Sequence, residues 1–276
     1  MKIAAVQMVS SPDVAENLAR ARHWMAEAAA QGAKLVALPE YFCLMGLADN
    51  DKLKIAEDFG AAAAPIQRLL AETARELGVW LIGGTLPIRA ATPDHVRNAC
   101  CVYNPQGELA ARYDKLHLFR FDNGREHYDE GRVLEQGDVP VTVDVTAEGR
   151  SWRVGLSVCY DLRFPELYRA MSFTPGQPPC DLIAVPAAFT HTTGEAHWEL
   201  LLRARAVENQ AYVIAPAQGG LHANGRRTWG HSLVIDPWGQ VLACHAEGEG
   251  LAIAEIDAER LAAVRSQLPA LQHRRL

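Results

Sequence analysis

Apolar residues in this chain fall alternately into short unbroken runs and into positions three or four apart, the pattern of buried strands alternating with amphipathic helices. Lys2 to Val9 is the first strand-length run. Val14, Leu18, Ala21, Met25 and Ala28 then mark a helix that Ser11-Pro12 starts, as N-cap and first-turn proline, and that Gly32 ends. Lys34 to Leu38 reads as the next strand, closing at Pro39-Glu40, and Tyr41 to Ala64 reads as irregular or locally helical. Ile66, Leu69, Leu70, Thr73 and Leu77 mark a second helix stopped by Gly78, followed by a strand over Val79 to Gly83. A hairpin of Asn98 to Tyr103 and Glu108 to Tyr113 turns at Asn104-Pro105-Gln106-Gly107. Such alternation predicts an α/β fold with a mainly parallel sheet.

The second half repeats the first. Lys34 to Phe42 lines up with Asp181 to Phe189, each a strand followed by Pro and, three residues later, Phe. Val79 to Ile82 matches Ala211 to Ile214, and the Asn104 turn matches Asp236-Pro237-Trp238-Gly239 at the same offset. Two such strand, helix and hairpin units facing each other give a sandwich of two sheets with helices outside.

The repeat also acts as an internal control. Glu40 corresponds to Ala187, Lys115 to Glu247, and Cys159 to Met8 or Val9, so three reactive side chains follow strands without a counterpart in the other half. Cys159 lies within Arg153 to Tyr168, which reads as strand, tight turn and helix, with Asp161 and Pro165 as helix-starting residues. Ligands of α/β sheets gather at the carboxyl ends of strands, which is where Glu40 and Cys159 would meet. A free thiol is only a few per cent thiolate at pH 7 and needs a base or a positive field to act as a nucleophile. Glu40 could take that proton if burial or a nearby carboxylate raised its pKa. Lys115 could stabilise the thiolate and, with the backbone N–H of Tyr160, hold the oxyanion of a tetrahedral intermediate. Attack on an sp or sp2 carbon with loss of ammonia or an amine is amide or nitrile hydrolysis.

Composition narrows the classes further. The chain has 276 residues, 49% hydrophobic and 22% charged, which suits a single soluble α/β domain over residues 1–276. A net charge of -6 without long basic runs argues against nucleic acid, and no stretch approaches a membrane span. Six cysteines without a C-x-x-C pair, two of them adjacent, fit neither a metal site nor a disulfide scaffold. Reduced thiols and the absence of a charged, then hydrophobic, opening segment lead to the expectation of a cytoplasmic protein without metal or cofactor.

At Leu38-Pro39-Glu40, Tyr113 to Phe119 and Val158 to Glu166 the chain resembles the nitrilase superfamily of carbon-nitrogen hydrolases, and the resemblance extends over nearly its whole length. It implies a four-layer αββα sandwich of two pseudo-repeated halves that forms homodimers through the helices flanking the sheets. It implies Glu40 as general base, Lys115 as stabiliser of the tetrahedral intermediate and Cys159 as the residue that forms a thioester. A second glutamate supporting the lysine falls on Glu130, with Glu126 the nearby competitor. Within the superfamily, Ala188-Phe189-Thr190, Gly194 to Glu199, Leu202 to Ala206, Trp229 to Ser232 and Leu271 to Arg275 resemble the branch of deaminated glutathione amidases. Nitrilases proper carry Cys-Trp-Glu where this chain has Cys-Tyr-Asp, whereas the sister ω-amidase branch shares Cys-Tyr-Asp-Leu-Arg-Phe. The implied substrate is thus a small amide bearing a carboxylate, deaminated glutathione or a 2-oxoglutaramate-like molecule.

Other positions carry less. Arg163, Arg226 and Arg227 could each bind a carboxylate bidentately, with a structural ion pair the alternative for Arg163 and a solvated loop the commoner state of the other two. Phe189 and Thr190 follow a strand end and could line the pocket, although a core Phe is commoner. His197 reads as structural. Phe121 to Gly137 is either a lid carrying Glu130 or a solvated loop. Two rival readings remain: a papain-like hydrolase with His231 as base, and a catalytically idle interaction module in which the thiol is structural.

Overall fold

A computed structural model of the chain describes residues 1–275. Two sheets dominate it. In the first, the strands Lys2–Gln7, Leu35–Ala37 and Trp80–Ile82 run parallel, and the antiparallel strands Gly250–Glu255, Val96–Tyr103, Leu86–Arg89 and Leu109–Asp114 extend it to seven. In the second, Arg150–Leu156, Leu182–Ala184 and Tyr212–Ala215 run parallel, with antiparallel Val141–Ala147, Ser232–Ile235 and Val241–His245 making six.

Side-chain alternation along the strands explains the layering. Ile3, Ala5, Leu35 and Ala37 point one way and join Val154, Leu156, Leu182 and Ala184 in one cluster between the sheets. Ala4, Val6, Val36 and Leu38 point the other way and meet Ala21 and Met25 of the helix Val14–Ala30 and Ile66 and Leu70 of the helix Pro65–Leu77. The second sheet is covered by the helices Pro165–Ser172 and His191–Asn209, which contribute Tyr168, Met171, Trp198 and Leu202 to the core. The result is the αββα sandwich.

The halves match in register. Ala5 pairs with Ala37 as Leu156 pairs with Ala184, which makes Met8 the counterpart of Cys159 and Glu40 the counterpart of Ala187. Both hairpin turns use the same bonds: the Asn104 side chain accepts from Gln106 N–H and the Asn104 backbone N–H donates to the Glu108 carbonyl oxygen, while Asp236 does the same with Trp238 and Gln240. One helix start differs from expectation. Asp13, not Ser11, caps the helix Val14–Ala30 and leaves Pro12 outside it, because Ser11 instead receives Asp13 N–H and donates its hydroxyl to Glu16. Phe121 to Gly137 is no featureless loop: Arg120–Asp122 and His127–Asp129 form a small hairpin that leads into a short 3₁₀ turn starting at Glu130. Among the described residues no helix is long and apolar enough to cross a membrane.

Gly84 ties the first sheet to the corner that carries Glu40. Its φ is +57°, and an added Cβ would lie 2.2 Å from the Pro39 carbonyl oxygen. Gly84→Ala should therefore cost about 2–4 kcal/mol, through left-handed backbone strain and displacement of Pro39-Glu40. Chemical denaturation followed by circular dichroism checks this. A loss below about 0.5 kcal/mol would show that the corner yields.

Candidate active site

Three strands of the sandwich end on one spot. Leu35–Ala37 leads to Glu40, Leu109–Asp114 to Lys115 and Arg150–Leu156 to Cys159, all at carboxyl ends. The Cys159 turn is built around Asp161, which is completely buried. Its Oδ2 accepts from Val158 N–H at 2.8 Å and Tyr113 O–H at 2.6 Å, while its Oδ1 meets His117 N–H at 3.0 Å and His117 Nδ1 at 2.7 Å. Cys159 N–H donates to Pro186 O at 2.9 Å. This network holds Cys159 at φ +50°, a left-handed conformation in which a residue with a side chain stores about 1–3 kcal/mol of strain. The 3₁₀ helix Cys159–Arg163 begins here, so the Tyr160 N–H has no acceptor within it and is free to point at a ligand.

Lys115 is 1% exposed and lies between two carboxylates. Its Nζ donates to Glu40 Oε1 at 2.8 Å and to Glu130 Oε2 at 2.8 Å and Oε1 at 3.1 Å. Asn98 Nδ2 donates to Glu40 Oε1 at 2.9 Å, and Tyr41 O–H and Phe119 N–H donate to Glu130 at 2.6 and 2.7 Å. Burial works against the ammonium, but the two carboxylates outweigh it and hold the Lys115 pKa above its ordinary value. Burial would also raise Glu130, yet Lys115 and the donated hydrogen bonds keep it below the ordinary carboxylate value. Glu40 goes the other way: burial lifts it, Lys115 opposes, and the Glu130 charge adds to the rise. The Cys159 thiol is pushed up by burial and then by the Glu40 carboxylate, with Lys115 pulling it down. Both groups are thus held toward their protonated forms, with the Lys115 ammonium beside them pulling the other way.

A cavity of about 280 Å³ opens onto these groups, with Tyr160, Arg163, Phe189 and Thr190 in its lining. Phe189 packs against Trp198 with the rings tilted, and the Thr190 hydroxyl caps the helix His191–Asn209, so both are core residues that also face the cavity. The Arg163 guanidinium lies 5.4 Å from the Phe189 ring centre and 3.3 Å from Nδ1 of exposed His197, and among the described residues it has no carboxylate partner to make a structural ion pair. Arg226 departs from the solvated-loop expectation. It lines the cavity, donates to Ala188 O at 3.0 Å and stacks on Tyr128, because the hairpin Gly219–Leu221/Arg227–Trp229 turns it inward, whereas Arg227 remains exposed. Glu126 lies away from Lys115 and accepts from Thr192 at 2.8 Å. His231 stacks on Trp229 with Nδ1 on the Trp229 carbonyl oxygen and is not part of the cavity, which removes the base that a papain-like arrangement needs.

Residues 2–266 match the family model described as carbon-nitrogen hydrolase. This chain belongs to that family. The carbon-nitrogen hydrolase is 42% identical to the deaminated glutathione amidase of Synechocystis over 274 residues, covering 98% of this chain and 97% of the relative. It is 38% identical to human omega-amidase NIT2 over 279 residues, covering 99% and 95% of the two chains. Among solved structures it is similar to Saccharomyces cerevisiae Nit3, a member of branch 10 of the nitrilase superfamily, with a TM-score of 0.87, 31% identity and coverage of 100% and 97%. The carbon-nitrogen hydrolase is an amidase by this kinship.

Sequence patterns missed Asn98, Tyr41 and the central place of Asp161. Asn98 is the third residue of the strand Val96–Tyr103, ahead of an apolar run, and a polar residue buried at such a point calls for a partner. Tyr41 had no signal beyond its place next to Glu40. In the carbon-nitrogen hydrolase, Glu40→Gln removes the group placed to take the Cys159 proton and leaves Lys115 in place. Alkylation of its thiol by iodoacetamide at pH 7 should then be slower than in the wild type, by at least about tenfold. Mass spectrometric counting of adducts on Cys159 measures it, and faster alkylation would show that the Glu40 charge outweighs its basicity.

Proposed function

We propose that this amidase hydrolyses the amide C–N bond of a small carboxylate-bearing amide, with deaminated glutathione the foremost substrate, through a thioester on Cys159. The observation that carries the reading is the convergence of Glu40, Lys115 and Cys159 at three strand ends, beside a cavity that holds an unpaired Arg163. Glu40 accepts the thiol proton as sulfur bonds to the amide carbon, and the carbonyl π electrons move onto oxygen. Lys115 Nζ and the Tyr160 N–H stabilise that oxyanion, one such donor being worth roughly 3 kcal/mol. As the C–N bond breaks, the proton on Glu40 passes to the departing nitrogen and leaves a thioester. Water, deprotonated by Glu40, then attacks the thioester, and the acid is released as sulfur regains a proton. Glu130 is the residue that keeps Lys115 charged and fixed, and Arg163 is the contact for the carboxylate on the acyl side of the amide.

Identity to an omega-amidase at nearly the same level supports a second reading, in which a primary ω-amide such as 2-oxoglutaramate is the substrate and ammonia the leaving group. Residues 1–276 act as one catalytic domain in either case, and the chain works in the cytoplasm. Leu200 and Val207, seven residues apart on the helix His191–Asn209, are 67% and 48% exposed, and Val207 lies against Gly239, next to exposed Trp238, a surface suited to a homodimer contact.

Turnover of deaminated glutathione and 2-oxoglutaramate, measured side by side, separates the two readings. Cys159→Ala should lower kcat for the preferred substrate by at least about 10⁴, and Glu40→Gln by about 10²–10⁴, without loss of the fold. Wild-type turnover by the Cys159→Ala protein would overturn the mechanism. For the assembly, light scattering should give twice the chain mass, and Leu200→Glu with Val207→Glu should halve it.

A further inference from the structure

A second cavity, of about 390 Å³, adjoins the one that holds Cys159, and Phe119, Glu130 and Arg226 line both. Lys52 forms part of its wall. The Lys52 ammonium has only the Asp49 carbonyl oxygen at 3.5 Å and the Tyr41 ring at 4.9 Å for company. Arg226 has the Ala188 carbonyl oxygen and the face of Tyr128, and its buried Nε has no partner at all. Acidic groups do face this space, but none neutralises it. Both oxygens of Glu130 are engaged by Lys115, Tyr41 and Phe119, and the Asp49 and Asp129 carboxylates lie beyond ion-pair distance of either cation.

Two half-buried cations without a carboxylate partner among the described residues are held at a desolvation cost that a bound anion would offset. Burial lowers the Lys52 pKa and Asp49 only partly restores it, as expected for an ammonium short of counter-charge. Arg163 lies in the same 3₁₀ turn as Cys159, so it suits the carboxylate on the acyl side of the amide. The second cavity adjoins the first across Phe119, Glu130 and Arg226, and suits a carboxylate on the other side of the amide. We propose that this cavity is a subsite for the remote carboxylate of the leaving-group arm, with Lys52 and Arg226 as its cationic contacts. The proposal rests on the amidase reading above and deepens it. Deaminated glutathione releases cysteinylglycine, whose carboxylate is remote from the amide nitrogen, whereas a primary ω-amide releases ammonia and leaves the subsite empty. Lys52 is then a specificity-determining residue between those two substrate classes.

The test is a binding titration on the full-length Cys159→Ala protein, which holds substrate without consuming it. The ligands are deaminated glutathione and the same molecule with its C-terminal carboxylate converted to an amide. The carboxylate form should bind at least about tenfold more tightly. Adding Lys52→Met should remove most of that preference while leaving affinity for the amide form within about twofold, which also reports an intact fold. Lys52→Arg should retain the preference. Equal affinity for the two ligands, or a preference that survives Lys52→Met, overturns the subsite. If the preference is present but the wild-type protein turns over neither substrate, the subsite stands and the amidase reading falls.

Discussion

A buried ammonium between two carboxylates is the constraint on which the site depends. Lys115 could not stay charged in the interior without Glu40 and Glu130, and neither carboxylate would tolerate its surroundings without Lys115. Each arrives from a different part of the chain: a strand end of the first sheet, the end of a hairpin strand, and the 3₁₀ turn that follows the outlying hairpin. The three charges can be satisfied only when all of those elements are in register. The same arrangement sets the two glutamates apart, since Glu130 takes most of the hydrogen bonds and Glu40 keeps a raised pKa beside the thiol.

The opposing pulls on these two carboxylates show how one environment can produce two chemistries. Glu130 accepts from Lys115, Tyr41 and the Phe119 amide, which leaves it a fixed counter-charge. Glu40 accepts from Lys115 and Asn98 through the same oxygen, so its other oxygen is left for the cavity side. A carboxylate with a raised pKa and an uncommitted oxygen is suited to taking and returning a proton.

Much of this was legible in the chain before any coordinates. Strand ends at Glu40, Lys115 and Cys159 follow from apolar run lengths, and their asymmetry follows from the internal repeat, whose register the paired strands reproduce as Ala5 with Ala37 and Leu156 with Ala184. Contacts that depend on tertiary approach were not legible. Arg226 looks like any loop arginine until the surrounding hairpin and Tyr128 enclose it. Asp161 looks like a helix starter, and only the arrival of Tyr113 and His117 from the other half makes it the hub of the nucleophile turn. Ser11 failed as a cap for a similar reason: local propensity pointed to it, and the side-chain bonds among Ser11, Asp13 and Glu16 give that place to Asp13.

The left-handed Cys159 also bears on how such a chain can change over generations. A glycine would occupy φ +50° without steric strain, so the residue that chemistry requires is not the one the local backbone prefers. Selection for folding alone would drift this position toward glycine, and only continued demand for turnover opposes it. A copy released from that demand would lose its thiol early and keep its sandwich. Silent members of such a lineage should therefore be recognisable by a small residue at this turn, with the Asp161 network still intact around it.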